Sequence, residues 1–391
     1  MEDIYKYKLA PDLVITYVNR KPQLRIPSQH RRFEVDSKVM SVISAFTGNP
    51  EETLHRLEKT ISKNTIQAIV NKLIDVGVLI SANEQKQSQT SEIVMEWAEW
   101  GESTWFVHLE SRDANYKSAD EVGEEFMKSS GSPPPTYKCN CEKSNITLPK
   151  PSSLSNMTLS DALTLRRTYR NFLPESIKLQ ELSDLLYYTG GILFTNSTRF
   201  FGRVAKKVAP SPGGRHATEL YPVINNCEGL ERGIYHYCQK HHALHLLSKM
   251  DDVKSFLNEA LYGQDYFLDA SVIVFYTSVI DRIKWKYKGA RIYRLMHYET
   301  AHYAQNFLLA GTAHNLGVFT TAAFKEILVE SKLGIDGVHE VAMYVTGAGQ
   351  KDEIMGPYAR AGIELSENVP ADFKIALPKA LSSTAEQKLL G

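Results

Sequence analysis

The sequence predicts an α+β protein built from a small N-terminal module and a larger layered domain. Two observations carry that reading: a β-rich pair of runs followed by three apolar helical stripes within the first 85 residues, and alternating helix and strand signals from Leu159 onward. At 391 residues the chain exceeds one average core, consistent with more than one domain.

In the first part, Leu13 to Val18 and Gln23 to Ile26 are β-rich and joined by Asn19-Arg20-Lys21-Pro22, which predicts a hairpin. Val39, Val42, Ile43 and Phe46 recur at helical spacing and stop at Gly48-Asn49-Pro50. Leu54, Leu57 and Ile61 repeat the stripe, and Ile66, Ile69, Val70, Leu73 and Ile74 do so again before Gly77. Val78 to Ile80 reads as a returning strand. Hairpin, three helices and strand make a winged-helix-like unit over residues 1–85. Its third helix offers only Lys63 and Lys72 as cations, too few to grip a phosphate backbone.

Residues 86–155 read as a connector. The aromatics Trp97, Trp100, Trp105 and Phe106 predict a packed surface there, and Ser129 to Pro135 an extended linker. In the remainder, 156–391, Ser160 is placed to cap a helix running through Arg166. Leu179, Leu182, Leu185 and Leu186 mark another helix, stopped by Gly190-Gly191. Ser271 to Ile280 and Glu340 to Thr346 read as buried strands, with a long proline-free helix over Ala290 to Leu316 between them.

Several function classes drop out. Lys plus Arg and Asp plus Glu number 45 each, so no net field draws the chain to nucleic acid or anionic lipid. No run approaches the roughly 18 apolar residues that span a bilayer, and the N-terminus has no secretory pattern, so a cytoplasmic address with reduced cysteines is expected. Cys139 and Cys141 have no second pair at zinc spacing in the sequence, and no metal site is expected. His236, Cys238, His241, His242 and His245 fit a hairpin with a turn at Lys240-His241-His242, its histidines mostly facing solvent. Glu299 and His302 share a helical face without a third ligand, so structural hydrogen bonding is the expected role.

Chemistry concentrates in three segments. Arg166-Arg167-Thr168-Tyr169-Arg170 supplies guanidinium forks that match anionic oxygens, although such a run by itself is more often a solvated helix face. Some forty residues on, Ser211-Pro212-Gly213-Gly214-Arg215 adds a glycine pair whose amides can approach an anionic ligand. Lys284-Trp285-Lys286-Tyr287-Lys288 precedes the long helix; a phenol or amine here can take a proton if its pKa is lowered, and the neighbouring Lys284 and Lys288 would lower it.

Together RRTYRNF, PSPGGRH with ELYPV, and GIYHY resemble the nitroreductase superfamily, specifically its branch of peptide azoline dehydrogenases. The resemblance spans roughly Leu159 to Lys351. It implies a central mixed sheet flanked by helices, a homodimer whose C-terminal extension wraps the partner, and FMN as cofactor. It puts Arg166, Thr168 and Arg170 on the flavin, Ser211, Gly213 and Arg215 in a second flavin segment, and Ala322 and Ala323 beside the flavin N5 edge. Pro212 stands where the family commonly has a small residue, and it removes an amide donor. Lys286 and Tyr287 match the family's catalytic Lys-Tyr pair, either of which can serve as the base.

The function so implied is oxidation of thiazolines or oxazolines to thiazoles or oxazoles in a ribosomally made peptide, beside a cyclodehydratase that forms the rings, with oxygen reoxidising the flavin. The N-terminal module resembles the peptide-recognition domain of such enzymes, where a leader peptide adds as a strand. An NAD(P)H-dependent nitro- or ene-reductase and a non-catalytic scaffold are the alternatives, and the Lys-Tyr pair and the N-terminal module favour the dehydrogenase.

Overall fold

The computed structural model describes residues 6–82, 89–113, 120–121, 123–124, 131–139, 145–154, 157–199 and 201–352. The chain divides into two compact units, residues 1–116 with Gly289–Arg291, and residues 117–288 with 292–391.

In the first unit β2 (Val14–Val18) and β3 (Lys21–Ile26) follow β1 (Tyr7–Leu9) and form the expected hairpin. Asn19 and Arg20 take φ of 49° and 66°, the left-handed pair that a two-residue turn needs to match strand twist. A further strand, β4 (Arg31–Glu34), pairs with β3. Its sequence, RRFE, is too charged to read as a strand; it forms because the ladder supplies the hydrogen bonds. Helices α1 (Ser37–Ala45), α2 (Pro50–Leu57) and α3 (Lys63–Asp75) start on side-chain caps from Asp36, Asn49 and Ser62. Their stripes bury Val42, Ile43, Leu54, Ile66, Val70 and Leu73 against Leu24 and Ile26. The returning strand, β5 (Leu79–Ser81), pairs with β1 and not with the hairpin.

Residues 89–113 belong to this unit as α4 (Gln89–Glu96) and α5 (Glu102–Glu110). Trp105 and Leu109 are buried, α5 packs on the Pro27–Gln29 turn, and Trp97 lies on Trp100 and His108 at centroid distances of 5.3 and 4.3 Å. These aromatics therefore pack within the unit. The polar linker lies partly outside the described residues.

The second unit is a three-layer sandwich. Its sheet runs β13-β14-β12-β9-β10-β11-β6, with β6 Asn145–Thr147, β9 Thr218–Ile224, β10 Gly233–Cys238, β11 Ala243–Lys249, β12 Val272–Val279, β13 Gly317–Thr321 and β14 Glu340–Gly349. Its ladders are antiparallel; parallel pairing is confined to single bridges, Thr168 to Val318 and Ile177 to Cys227.

Alternation along the strands sorts side chains to two cores. Leu220, Val272, Val274 and Tyr276 face α7 (Leu179–Gly190) and α10 (Arg291–Ala313) through Leu182, Leu185, Tyr303 and Phe307. Tyr221, Val223, Ile273 and Phe275 face α8 (Val253–Ala260) and α11 (Glu326–Leu333) through Phe256, Leu257 and Val329. Gly311 permits the close approach of α10 to β13, since a Cβ there would lie 2.4 Å from Val318 Cγ1. The hairpin β7 (Ile192–Thr198) and β8 (Gly202–Lys207) stands outside this sheet.

Two local expectations are corrected. Thr158, not Ser160, caps α6 (Leu159–Leu165), in a reciprocal box with Asp161. The hairpin histidines do not mostly face solvent: His236 and His245 are only 2% and 3% exposed, because Glu219 and Tyr221 of β9 pack on His236 and the two imidazoles stack.

Candidate active site

The turn Pro212–Gly214 delivers the second predicted segment to the third. Gly213 has φ of +60°, and a Cβ there would lie 2.5 Å from the Tyr287 hydroxyl and 2.9 Å from Lys286 Nζ. Only glycine lets the turn and the Lys-Tyr pair share this space.

Lys286 and Tyr287 are not in a loop. They end a short helix, α9 (Ile280–Lys286), with Tyr287 as its C-cap donating N–H to the Ile283 carbonyl. Lys286 Nζ sits 4.4 Å from the centroid of Phe201 and 5.6 Å from that of Tyr287. Burial and then the positive charge of Arg215 lower the Lys286 pKa. The expected cause, repulsion by Lys284 and Lys288, is thus replaced by desolvation; both those lysines are exposed.

Arg215 departs from expectation. It is 1% exposed, donates from Nε to the Arg282 carbonyl at 3.1 Å and from Nη2 to the Pro134 carbonyl at 3.0 Å, and stacks 4.8 Å over Trp285. With Nε and Nη2 engaged by backbone carbonyls, it packs on Trp285 and adds positive charge beside Lys286. Ser211 is similarly engaged: its hydroxyl donates to Glu299 at 2.5 Å and accepts from the His216 N–H at 2.7 Å. Glu299 also accepts from the Thr218 N–H at 2.8 Å, so this buried carboxylate holds the loop to the sheet. His302 on the same helix is exposed.

Behind the pair lies an ion cluster the sequence did not disclose. Glu219 on β9 pairs with Arg282 at 2.6 Å and with His236 Nε2 at 2.9 Å, both buried, and Arg282 Nη1 donates to the His216 carbonyl at 2.9 Å. Arg282 lies on α9, so this pair ties the helix carrying Lys286 to the sheet. Burial alone would raise the Glu219 carboxyl, but Arg282 and His236 together bring it down to about 2. Lys207, hydrogen-bonded to Gln239, is lowered by burial to about 7 despite the opposing pull of Glu219. His216 is held down to about 3, by burial first and then by Lys207.

Arg166, Thr168 and Arg170 form a second group. Arg166 ends α6, and Thr168 bridges Val318 while Tyr169 donates to the Val318 carbonyl at 2.9 Å, so the segment runs alongside β13. Among the described residues neither the Arg166 nor the Arg170 guanidinium has a hydrogen-bond or ion-pair partner. Ala322 and Ala323 follow β13 and are exposed, the Ala323 carbonyl accepting from Gln264 at 2.7 Å. No hydrogen bond or ion pair among the described residues joins the side chains of Arg166, Thr168 or Arg170 to Gly213 or the Lys-Tyr pair. The structure therefore brings together the second and third segments, and sets the first beside β13.

Residues 163–349, which contain all of these groups, match the nitroreductase family. They form a nitroreductase-family domain. The chain is 24% identical over 243 residues to the trifolitoxin-processing protein TfxB of Rhizobium leguminosarum bv. trifolii, a match covering 61% of this chain and 65% of TfxB. It is 27% identical over 200 residues to MJ1384 of Methanocaldococcus jannaschii, which is described as a nitroreductase, covering 51% of this chain and 94% of that protein. Among solved structures it is similar to a chain of the E. coli microcin synthetase McbBCD complex with truncated pro-MccB17 bound, at 18% identity and a TM-score of 0.40, covering 70% of this chain and 100% of that one. Among the described residues no helix is long and apolar enough to cross a membrane.

Two predictions arise from this nitroreductase-family site. Gly213→Ala should cost about tenfold to 100-fold in turnover by displacing the Lys-Tyr pair, with about 1–2 kcal/mol of destabilisation from the left-handed φ; steady-state kinetics beside thermal melts would check this, and an unchanged rate would separate the turn from the site. Acidification should destabilise the fold. The folded His216 resists protonation, so stability is lost as pH falls below the ordinary histidine range toward about 3. Glu219, depressed to about 2, adds a loss that begins near the ordinary carboxylate pKa. Thermal melts between neutral and mildly acidic pH should show a falling midpoint, with a smaller fall in His216→Asn.

Proposed function

We propose that this protein is an FMN-dependent dehydrogenase that oxidises thiazolines or oxazolines within a peptide to thiazoles or oxazoles. The observation that carries the reading is the packing of Lys286 Nζ and the Tyr287 hydroxyl against the Gly213 turn. The similarity to a trifolitoxin-processing protein supports a peptide-modifying role.

In this reading the ring α-carbon, acidified by its C=N and carbonyl neighbours, gives up a proton, and the β-carbon gives up a hydride as the C=C bond forms. Lys286, its ammonium disfavoured by burial, or Tyr287 takes the proton. FMN, if bound, would supply the hydride acceptor, with oxygen as the terminal oxidant. The unpartnered guanidinium groups of Arg166 and Arg170, with Thr168, suit an electron-rich ring or a phosphate, and the small Ala322 and Ala323 leave room for a planar group. A homodimer that brings one copy's arginine segment to the other's Lys-Tyr pair is part of the proposal.

A cyclodehydratase would supply the azoline. The leader of the precursor peptide would add to β2, the edge of the three-stranded sheet, where Ile15, Tyr17 and Val18 are exposed.

The test is an absorbance spectrum of the purified protein with mass identification of the released cofactor, followed by anaerobic mixing with azoline peptides with and without leader. Bleaching of the flavin and a product lighter by two hydrogens, with tighter binding of the leader-bearing peptide, is expected. Bleaching by NAD(P)H but by no azoline would replace this reading with a reductase. A protein that takes up no FMN would end both.

A further inference from the structure

Three metal-binding donors from separate stretches of the chain meet at the turn between β10 and β11. Cys238, the last residue of β10, is fully buried; His241 lies in the turn; Cys139 arrives at the end of the segment 131–139. His241 Nδ1 is 3.5 Å from Cys139 Sγ and 3.8 Å from Cys238 Sγ, and the three donor atoms all lie within 4.8 Å of one another. A tetrahedral zinc ion, with Zn–S of about 2.3 Å and Zn–N of about 2.0 Å, sets its sulfur and nitrogen ligands about 3.5 Å apart. The two observed separations match that edge, and two thiols with an imidazole are the soft and borderline donors zinc selects over the hard cations.

The sheet brings Cys139 to this place without a metal. Lys138 donates its backbone N–H to Glu219 at 2.9 Å, its ammonium to the Tyr221 hydroxyl at 3.0 Å, and pairs with Glu340. Upstream on the same segment, the Pro134 carbonyl receives Arg215. Cys139 thus directly follows a strip of chain already laid across the sheet.

We propose that Cys139, Cys238 and His241 bind one zinc ion, with water completing the tetrahedron. The ion ties Cys139, next to Lys138 on the sheet, to the β10–β11 turn. Its role is structural: it keeps Pro134 under Arg215, whose charge and stacking set the Lys-Tyr pair. The sequence concealed the site because Cys139 and the Cys238-x-x-His241 pair lie far apart in the chain.

The test is elemental analysis of the reduced, untagged protein, beside uptake of Co²⁺ by protein stripped with a chelator. About one zinc per chain is expected, falling at least tenfold in Cys139→Ser and His241→Ala and unchanged in Cys227→Ser. The cobalt protein should show thiolate-to-metal charge-transfer absorption that Cys139→Ser weakens. Both variants change exposed or half-buried residues, so circular dichroism should stay native. The proposal is overturned if the protein holds only trace zinc and gives no cobalt-thiolate band. It is equally overturned if Cys139→Ser and His241→Ala keep the metal, or if mass spectrometry finds Cys139 and Cys238 joined as a disulfide in protein purified under reducing conditions.

Discussion

Combining Lys286→Ala with Tyr287→Phe is expected to lower azoline oxidation by at least about 10²–10⁴-fold, the usual contribution of a positioned acid or base, while leaving the protein yellow. The two halves of this expectation come from different parts of the molecule. Lys286 and Tyr287 end α9 against Gly213, whereas the arginines proposed to hold the flavin lie along β13, with no hydrogen bond or ion pair to the Lys-Tyr pair among the described residues. Single variants divide the work. If Lys286 is the base, the amine form is the active one, and kcat/KM should rise with pH through a value below the ordinary lysine range. That follows from the direction of its shift, set by burial and by Arg215. Lys286→Ala should remove that limb and Tyr287→Phe should keep it. The reverse pattern would assign the base to Tyr287, and retained azole formation by the double variant would remove both from catalysis.

Arg282→Met carries the largest expected loss of stability. Its guanidinium meets Glu219 at 2.6 Å with both groups buried, and removing one partner of such a pair leaves an uncompensated charge at a cost of about 3–5 kcal/mol. In a domain of this size that is a fall in melting temperature on the order of 10 °C. The same change frees the His216 carbonyl, so the loop bearing Ser211 and Gly213 should loosen before the fold is lost. Adding Glu219→Gln to Arg282→Met should restore part of the lost stability, because it removes the stranded charge. A double variant no more stable than the single one would mean that packing, and not buried charge, sets the cost.

Local rules made much of this molecule legible. The helices over Ser37–Ala45, Lys63–Asp75 and Leu179–Gly190 follow from apolar spacing and end signals that act within a turn or two. The hairpin follows from two β-rich runs joined by Asn19-Arg20-Lys21-Pro22, although the turn itself is Asn19-Arg20 and Lys21 and Pro22 already belong to β3. Where side chains within a few residues of one another decide conformation, the sequence alone suffices.

What it could not yield depends on partners far along the chain. β4 is a strand because β3 offers a ladder, not because RRFE favours one. The cap is an exception, a local signal that the sequence carried: Thr158 closes a box with Asp161 two residues before the expected Ser160. His236 looks like a solvated residue in its hairpin and is buried because Glu219 and Tyr221, on a neighbouring strand, and His245 pack against it.

The site divides in the same way. The sequence by itself determined which residue types the three segments carry: guanidinium groups, a glycine turn and a Lys-Tyr pair. Only the tertiary structure decided that Arg215 donates to the Arg282 and Pro134 carbonyls, that burial and Arg215 lower the Lys286 pKa, and that Glu219 and Arg282 tie the helix to the sheet. The physical reason is that desolvation and charge pairing act through space over a few ångströms, and the chain brings residues that close only when its cores have formed.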